Sequence, residues 1–261
     1  MKKLKIMFSG FYKYKDLLFE LVSRDIKIRY RRSFLGLLWT VLNPILMMAV
    51  MTVVFSNLFR SDIQNFPIYF FTGNILFSFV TEATTNALNS IVGSASLIKK
   101  VYIPKYLFPV SKILSSGVNL FFSFIAMLIV MVVTRAPFHA TMFLTPLLIL
   151  YVLMFATGLG LILCTIMVFF RDIAHLYTVI TLAWMYLTPI FYPKSLLETK
   201  AGWVLTINPI FHFIEYLRYI VLYNQVPTVS QNIGCFLIGF IFLFVGLIVF
   251  YRKQDKFILY I

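Results

Sequence analysis

Charge is scarce in this chain, and acid scarcer. Asp and Glu number nine against 23 Lys and Arg, and charged residues make up only 12% of 261 residues. Soluble domains carry about 25%, so a solvated globular surface is excluded, and 61% hydrophobic residues point to a polytopic membrane protein. The length leaves room for about six spans and no sizeable soluble domain. Cysteine is rare: Cys164 and Cys235 both fall inside apolar segments, which indicates neither a disulfide framework nor a metal site. His139, His175 and His212 are isolated. The sequence has no glycine-rich phosphate loop ending in Lys-Ser/Thr, no His-Glu-x-x-His, and no paired acids at a cytoplasmic interface that could hold Mg²⁺. No catalytic residue, metal ligand or cofactor of this chain's own is therefore expected, and any energy must come from a partner or a gradient.

What is present begins with a basic run, Arg24-Asp25-Ile26-Lys27-Ile28-Arg29-Tyr30-Arg31-Arg32-Ser33, which opens onto 26 uncharged residues from Phe34 to Phe59. That stretch is long enough to cross a hydrocarbon core of about 30 Å with some tilt. Between Phe11 and Arg32, Leu17, Leu18, Leu21, Val22 and Ile28 alternate at helical spacing with a charged face. Such a basic amphipathic helix beside a span is expected in the interface plane. Met1 to Ile6 carry lysines, but no cleavable signal pattern follows, so the N-terminus is expected to be retained. Further spans are expected at about 67–90, 112–134, 142–170, 173–192 and 233–251. Lys and Arg gather before Phe34, at Lys99, Lys100, Lys105 and Lys112, at Arg171, and after Tyr251. Six crossings put all of these inside and leave Arg60, Arg135, Lys194, Lys200 and Arg218 outside, the asymmetry of a multi-pass chain with both termini cytoplasmic. The net charge of +14 follows from that topology, and no nucleic-acid partner is expected. A seventh crossing would move Arg252, Lys253 and Lys256 outside and weaken that asymmetry, so residues 196–224 are expected as a re-entrant or surface-lying hairpin on the outer side, broken at Asn208-Pro209.

Two cytoplasmic connections stand out. In the first, Leu97, Ile98, Val101, Tyr102 and Ile103 are too apolar for a solvated loop and too few for a span. With Lys99, Lys100 and Pro104 they read either as a positive-inside loop or as a short helix exposing apolar side chains to a partner. The second is the tight turn at Arg171-Asp172, an interfacial marker or a contact on the same face. Glu82 lies deep in the second span among Thr81, Thr84, Thr85, Asn86 and Asn89. It must face protein or a wet cavity, either as part of a hydrophilic conduit or as a hydrogen-bond partner for another helix. The aromatics near outer span ends, among them Trp184, Tyr186, Phe191 and Tyr192, fit an interfacial belt, and a subset could stack on sugar rings.

The basic run with Leu35-Gly36-Leu37-Leu38-Trp39 and Asn43-Pro44, the Ile98–Pro104 loop, Phe169-Phe170-Arg171-Asp172-Ile173, Leu187-Thr188-Pro189-Ile190-Phe191-Tyr192-Pro193 and Asn208-Pro209 together resemble the type-2 ABC transporter permeases that export polysaccharides. That group includes the permeases for O antigen, capsule and wall teichoic acid. The resemblance implies an all-α, six-span domain over 1–261, with a gate helix in 1–33, a permease core in 34–251 and a cytoplasmic tail in 252–261. It also implies a homodimer in the cytoplasmic membrane of a bacterium, bound to two copies of a separate ATPase that carries the ATP and Mg²⁺. On that pattern an undecaprenyl-diphosphate-linked glycan is the cargo, and Arg29, Arg31 and Arg32 lie near its head. Leu97, Ile98, Lys99, Lys100, Val101, Tyr102, Ile103, Pro104, Arg171 and Asp172 meet the ATPase. Spans one and five line the path, with Trp39, Glu82, Trp184, Tyr186, Phe191 and Tyr192 along it. Two other readings stay open: an integral membrane transferase of polyprenyl-phosphate metabolism, and an ABC permease for a drug or lipid.

Overall fold

The computed structural model describes residues 13–31, 35–36, 38–55, 63, 65–101 and 103–261. It is 83% helix, and no strand forms among the described residues. Among the described residues ten α-helices follow one another: α1 (Lys15–Tyr30), α2 (Leu38–Phe55), α3 (Phe66–Gly93), α4 (Ala95–Lys100), α5 (Leu107–Val133), α6 (Thr145–Phe169), α7 (Ile173–Tyr186), α8 (Ser195–Ile207), α9 (Pro209–Val221) and α10 (Val229–Lys253). Short 3₁₀ segments precede α6 and follow α10.

Four of these elements are long and apolar enough to cross a membrane: α2, α5, α6 with its 3₁₀ lead-in, and α10 with its 3₁₀ extension. The other two expected spans depart from that description for different reasons. Helix α3 has 28 residues but carries Asn74, Ser78, Glu82, Asn86 and Asn89 along its length. Most of its surface is covered by α5, α6 and α9, and these polar residues keep to the half-buried or exposed remainder. Helix α7 stops after 14 residues, about 21 Å at 1.5 Å per residue. Leu187 follows it, and the turn Thr188-Pro189-Ile190 is buried.

Local chemistry sets the breaks. Asn208 caps α9, its side chain accepting from the backbone N–H groups of Ile210 and Phe211, while Pro209 fills the first helical position, where no donor is needed. This breaks 195–221 into two helices at the dipeptide the sequence marks. Thr228 and Gln231 form a reciprocal capping box at the start of α10.

The tightest seam joins α6 to α10. A Cβ placed on Gly158 would sit 2.2 Å from the backbone carbonyl of Phe242, and one on Gly246 would sit 2.3 Å from the carbonyl oxygen of Gly158. Where lipid replaces water, backbone-to-backbone approach at glycine is a principal source of helix association. Cys164 and Cys235 are free and buried in this part of the bundle.

Candidate functional site

Two polar stripes face each other within the bundle. On α3 the polar side chains recur every three or four residues, at Asn74, Ser78, Glu82, Asn86 and Asn89. On α5 they are Lys112, Ser115, Ser116, Asn119 and Ser123, one face at helical spacing. The stripes meet at Glu82. Its Oε1 accepts from Asn119 Nδ2 at 2.7 Å and from Ser116 Oγ at 3.5 Å. Asn86 Nδ2 in turn donates to Ser116 Oγ at 3.1 Å.

Helix α1 supplies the countercharge. Leu18 and Leu21 bury against Leu107 at the start of α5. One turn further on, Asp25 pairs with Lys112 at 2.9 Å, and then Arg29 reaches Glu82 at 2.5 Å. The contacts step along α1 and α5 together, as they do for a helix running beside its neighbour. A basic helix at this position was expected to lie in the interface plane; in the structure it runs beside α5, with Asp25 and Arg29 finding opposite charges on α5 and α3.

Two openings meet at Arg29 and Asn119. One, of about 440 Å³, is lined by Arg24, Asp25, Arg29, Asn86, Lys112, Ser115 and Asn119, among others. The other, of about 780 Å³, holds Arg29, Trp39, Asn43, Asn74, Ser78, Glu82, Asn119 and Ser123. The structure thus gathers three of the sequence-selected residues, Arg29, Trp39 and Glu82, into one cleft. Arg31 is exposed beyond the end of α1, and Arg32 lies outside the described residues. Asn119, Lys112, Asn43 and Asn74 were not expected as site residues, Lys112 being counted only as a cytoplasmic charge and Asn43 only within the Asn43-Pro44 motif. The three-and-four spacing of Lys112, Ser115, Ser116, Asn119 and Ser123 was the signal available for the first two.

The aromatic candidates divide into two groups. Phe191 meets Phe55 at a tilt and Tyr186 and Tyr192 edge-on, at ring separations of 5.3, 6.0 and 5.4 Å. The Tyr192 hydroxyl donates to the Tyr186 carbonyl at 2.6 Å. Trp184 does not join them. Its ring meets Phe77 and Phe155 edge-on, and its Nε1 donates to Asn208 Oδ1 at 2.8 Å, so it fixes the α9 cap to α7. That hydrogen bond ties the half-buried Trp184 to the start of α9.

On the same side, Arg218 is fully buried. Its guanidinium lies 3.6 Å over the Tyr69 ring, donates to the Pro189 carbonyl at 2.7 Å and approaches Glu215 at 3.5 Å. Lys194 shares Glu215 at 3.2 Å. Burial opposes the charge on Lys194, but Glu215 outweighs it and raises its pKa.

At the opposite end, α4 is a six-residue helix with Lys99 and Lys100 exposed. Its apolar side chains were expected to project outward. Val101 does, at 50% exposure, but Ile98 is buried and corrects that expectation. Ile98 packs with Phe108, Val168, Phe250 and Phe257 in a single cluster, with Leu97 and Ile103 at its margin. The 3₁₀ segment after α10 turns back and inserts Phe257, and Lys105 Nζ donates to the Gln254 carbonyl at 2.6 Å. Pro104 is half-buried, Tyr102 lies outside the described residues, and Phe170, Arg171 and Asp172 are exposed beside the cluster.

A family model described as ABC-2 type transporter matches residues 16–222. The chain belongs to the ABC-2 type transporter family. Its relatives align over nearly the full length. The O-antigen export system permease protein RfbA of Myxococcus xanthus is 30% identical over 250 residues, 94% of this chain and 95% of that one. A Klebsiella pneumoniae protein of the same name is 28% identical over 244 residues, 93% of each. The capsule polysaccharide export inner-membrane protein CtrC of Neisseria meningitidis is 24% identical over 242 residues, 91% of each. With its several apolar helices, this ABC-2 chain is a multi-pass membrane protein.

Proposed function

We propose that the chain is the membrane subunit of an ATP-driven exporter that moves an undecaprenyl-linked polysaccharide across the cytoplasmic membrane of a bacterium. The observation that carries this reading is the end-to-end alignment with O-antigen export permeases, 94% of one chain on 95% of the other at 30% identity. On it, the domain spans 1–261 and crosses the bilayer six times, with α3 and α7 completing the four strongly apolar crossings. Both termini face the cytoplasm, and α8 and α9 form an outer re-entrant hairpin. Two copies assemble with two copies of a separate ATPase, which binds the ATP and Mg²⁺.

The geometry supports a division of labour. Arg29, with Arg31 and Arg32 beyond it, serves the diphosphate head of the lipid near α1, and the polar cleft continues from there past Trp39. Helix α4 and the Arg171-Asp172 turn form one cytoplasmic face around Phe257, so a push on either is delivered to α3, α5, α6 and α10 together. Val101, Lys99, Lys100, Phe170, Arg171 and Asp172 make up its exposed part.

The test follows from burial. Ile98→Asp would disrupt the cluster itself, whereas Val101→Asp and Phe170→Asp change only the exposed rim. The double variant is expected to keep the wild-type melting temperature within about 2 °C, as surface changes do. It should also retain at least fivefold less ATPase on co-purification and leave polymer inside the cell. Unchanged recruitment and export would overturn the docking face, and export activity of the isolated subunit without an ATPase would overturn the function.

A further inference from the structure

The Arg29–Glu82 ion pair joins two parts that the export reading treats separately, the helix where lipid heads arrive and the polar cleft behind it. Glu82 stands 11 residues before the cytoplasmic end of α3, about 16 Å along the helix. An acid at that depth requires partners, and it has three, Arg29, Asn119 and Ser116, all converging on Oε1. Donors convergent on one anionic oxygen suit a phosphoryl oxygen equally well, and the guanidinium fork binds carboxylate and phosphate in the same manner. Arg24 and Lys112 line the same opening. A diphosphate entering it would meet three cations, each already held by a carboxylate of the protein: Arg29 by Glu82, and Lys112 and Arg24 by Asp25.

We propose that Glu82 is a stand-in anion. It holds Arg29, and through Arg29 the end of α1, until a diphosphate ester exchanges for it. Arg29 then passes to the ligand, Glu82 stays with Asn119, and α1 is freed from α3. The proposal rests on the reading of α1 as the place where a lipid diphosphate binds, and it adds that binding and release of the helix are one exchange. Glu82 is thus a positioning residue that competes with the ligand and does not contact it.

The test uses the full-length chain in nanodiscs, with undecaprenyl diphosphate and inorganic diphosphate as probes. Removing the competing charge with Glu82→Gln is expected to tighten undecaprenyl diphosphate binding about fivefold, the scale of a half-exposed ion pair. Hydrogen exchange across 15–30 should rise in that variant before any ligand is added. Arg29→Gln should weaken binding, and adding Glu82→Gln to it should recover nothing, because the competition needs both partners. Glu82→Asp, still charged but shorter, should give a smaller gain and serves if the Gln variant does not fold. Equal affinities for wild type and Glu82→Gln, or a gain that persists without Arg29, would overturn the exchange. A fivefold gain with inorganic diphosphate alone would overturn the lipid as its source. Glycan export by the wild-type complex is scored separately: intact export with equal affinities sinks only the exchange, whereas no lipid diphosphate binding by any variant sinks both readings.

Discussion

Replacing Gly158 by valine is expected to leave almost no monodisperse protein after detergent extraction. The added Cβ alone would fall 2.2 Å from the Phe242 carbonyl, where the obstacle is backbone and cannot rotate away. Overpacking in a well-filled core costs about 1–3 kcal/mol when side chains can adjust, and here two helices must separate. That separation also undoes the Gly246 contact on Gly158, since both glycines belong to the same crossing. Gly158→Ala should show the same defect in milder form, as a lowered melting temperature. Gly234→Ala supplies the contrast: nothing lies within 4 Å of its added Cβ, and alanine in place of glycine inside a helix is favourable by up to about 1 kcal/mol. Fluorescence-detected size exclusion after a temperature ramp reads all three. A Gly158→Val protein as stable as wild type would show that α6 and α10 do not meet as described.

Arg218→Leu is expected to lower stability by about 3 kcal/mol, the scale for removing one partner of a buried charge pair. Three things are lost together: the hydrogen bond to Pro189, the stacking on Tyr69, and half of the charge compensation of Glu215. Pro189 belongs to the turn that ends α7, and Tyr69 lies on α3, so the guanidinium pins α9 to two separate elements. Arg218→Lys should fall well short of rescue, because an ammonium cannot stack flat on the tyrosine while also donating to the carbonyl and the acid. Adding Glu215→Gln to Arg218→Leu should recover part of the loss by removing an acid left with Lys194 alone. Thermal unfolding of the four proteins checks this, and a neutral Arg218→Leu would place the residue at an exposed rim.

Features written in neighbouring residues were legible in the sequence. The Asn208-Pro209 break was visible because a capping side chain and a residue without an N–H sit side by side. The extent of α1 followed from its alternating apolar and charged faces. Features that depend on distant partners were not legible. Glu82 was recognisable as an acid that must be covered, but its partners are 37 and 53 residues away, so periodicity could not choose between a conduit and a structural bond. The structure gives it elements of both, with hydrogen bonds on one side and the large opening on the other. Ile98 read as a docking residue because it and four neighbours, Leu97, Val101, Tyr102 and Ile103, are too apolar for a loop. The cluster that buries it includes Phe257 from a 3₁₀ turn beyond the last span, which no local pattern connects to position 98. Helix α7 read as a full span because apolarity runs on to Tyr192, whereas the backbone breaks at Leu187.

The burial of both native thiols has a practical corollary for mapping sidedness. Cys164 is fully enclosed and Cys235 nearly so, so a maleimide reagent that stays in water should find neither in the intact fold. Single cysteines placed at Arg135 or Lys256 can therefore be introduced into the otherwise unaltered chain, and each labelling signal will belong to the engineered position alone.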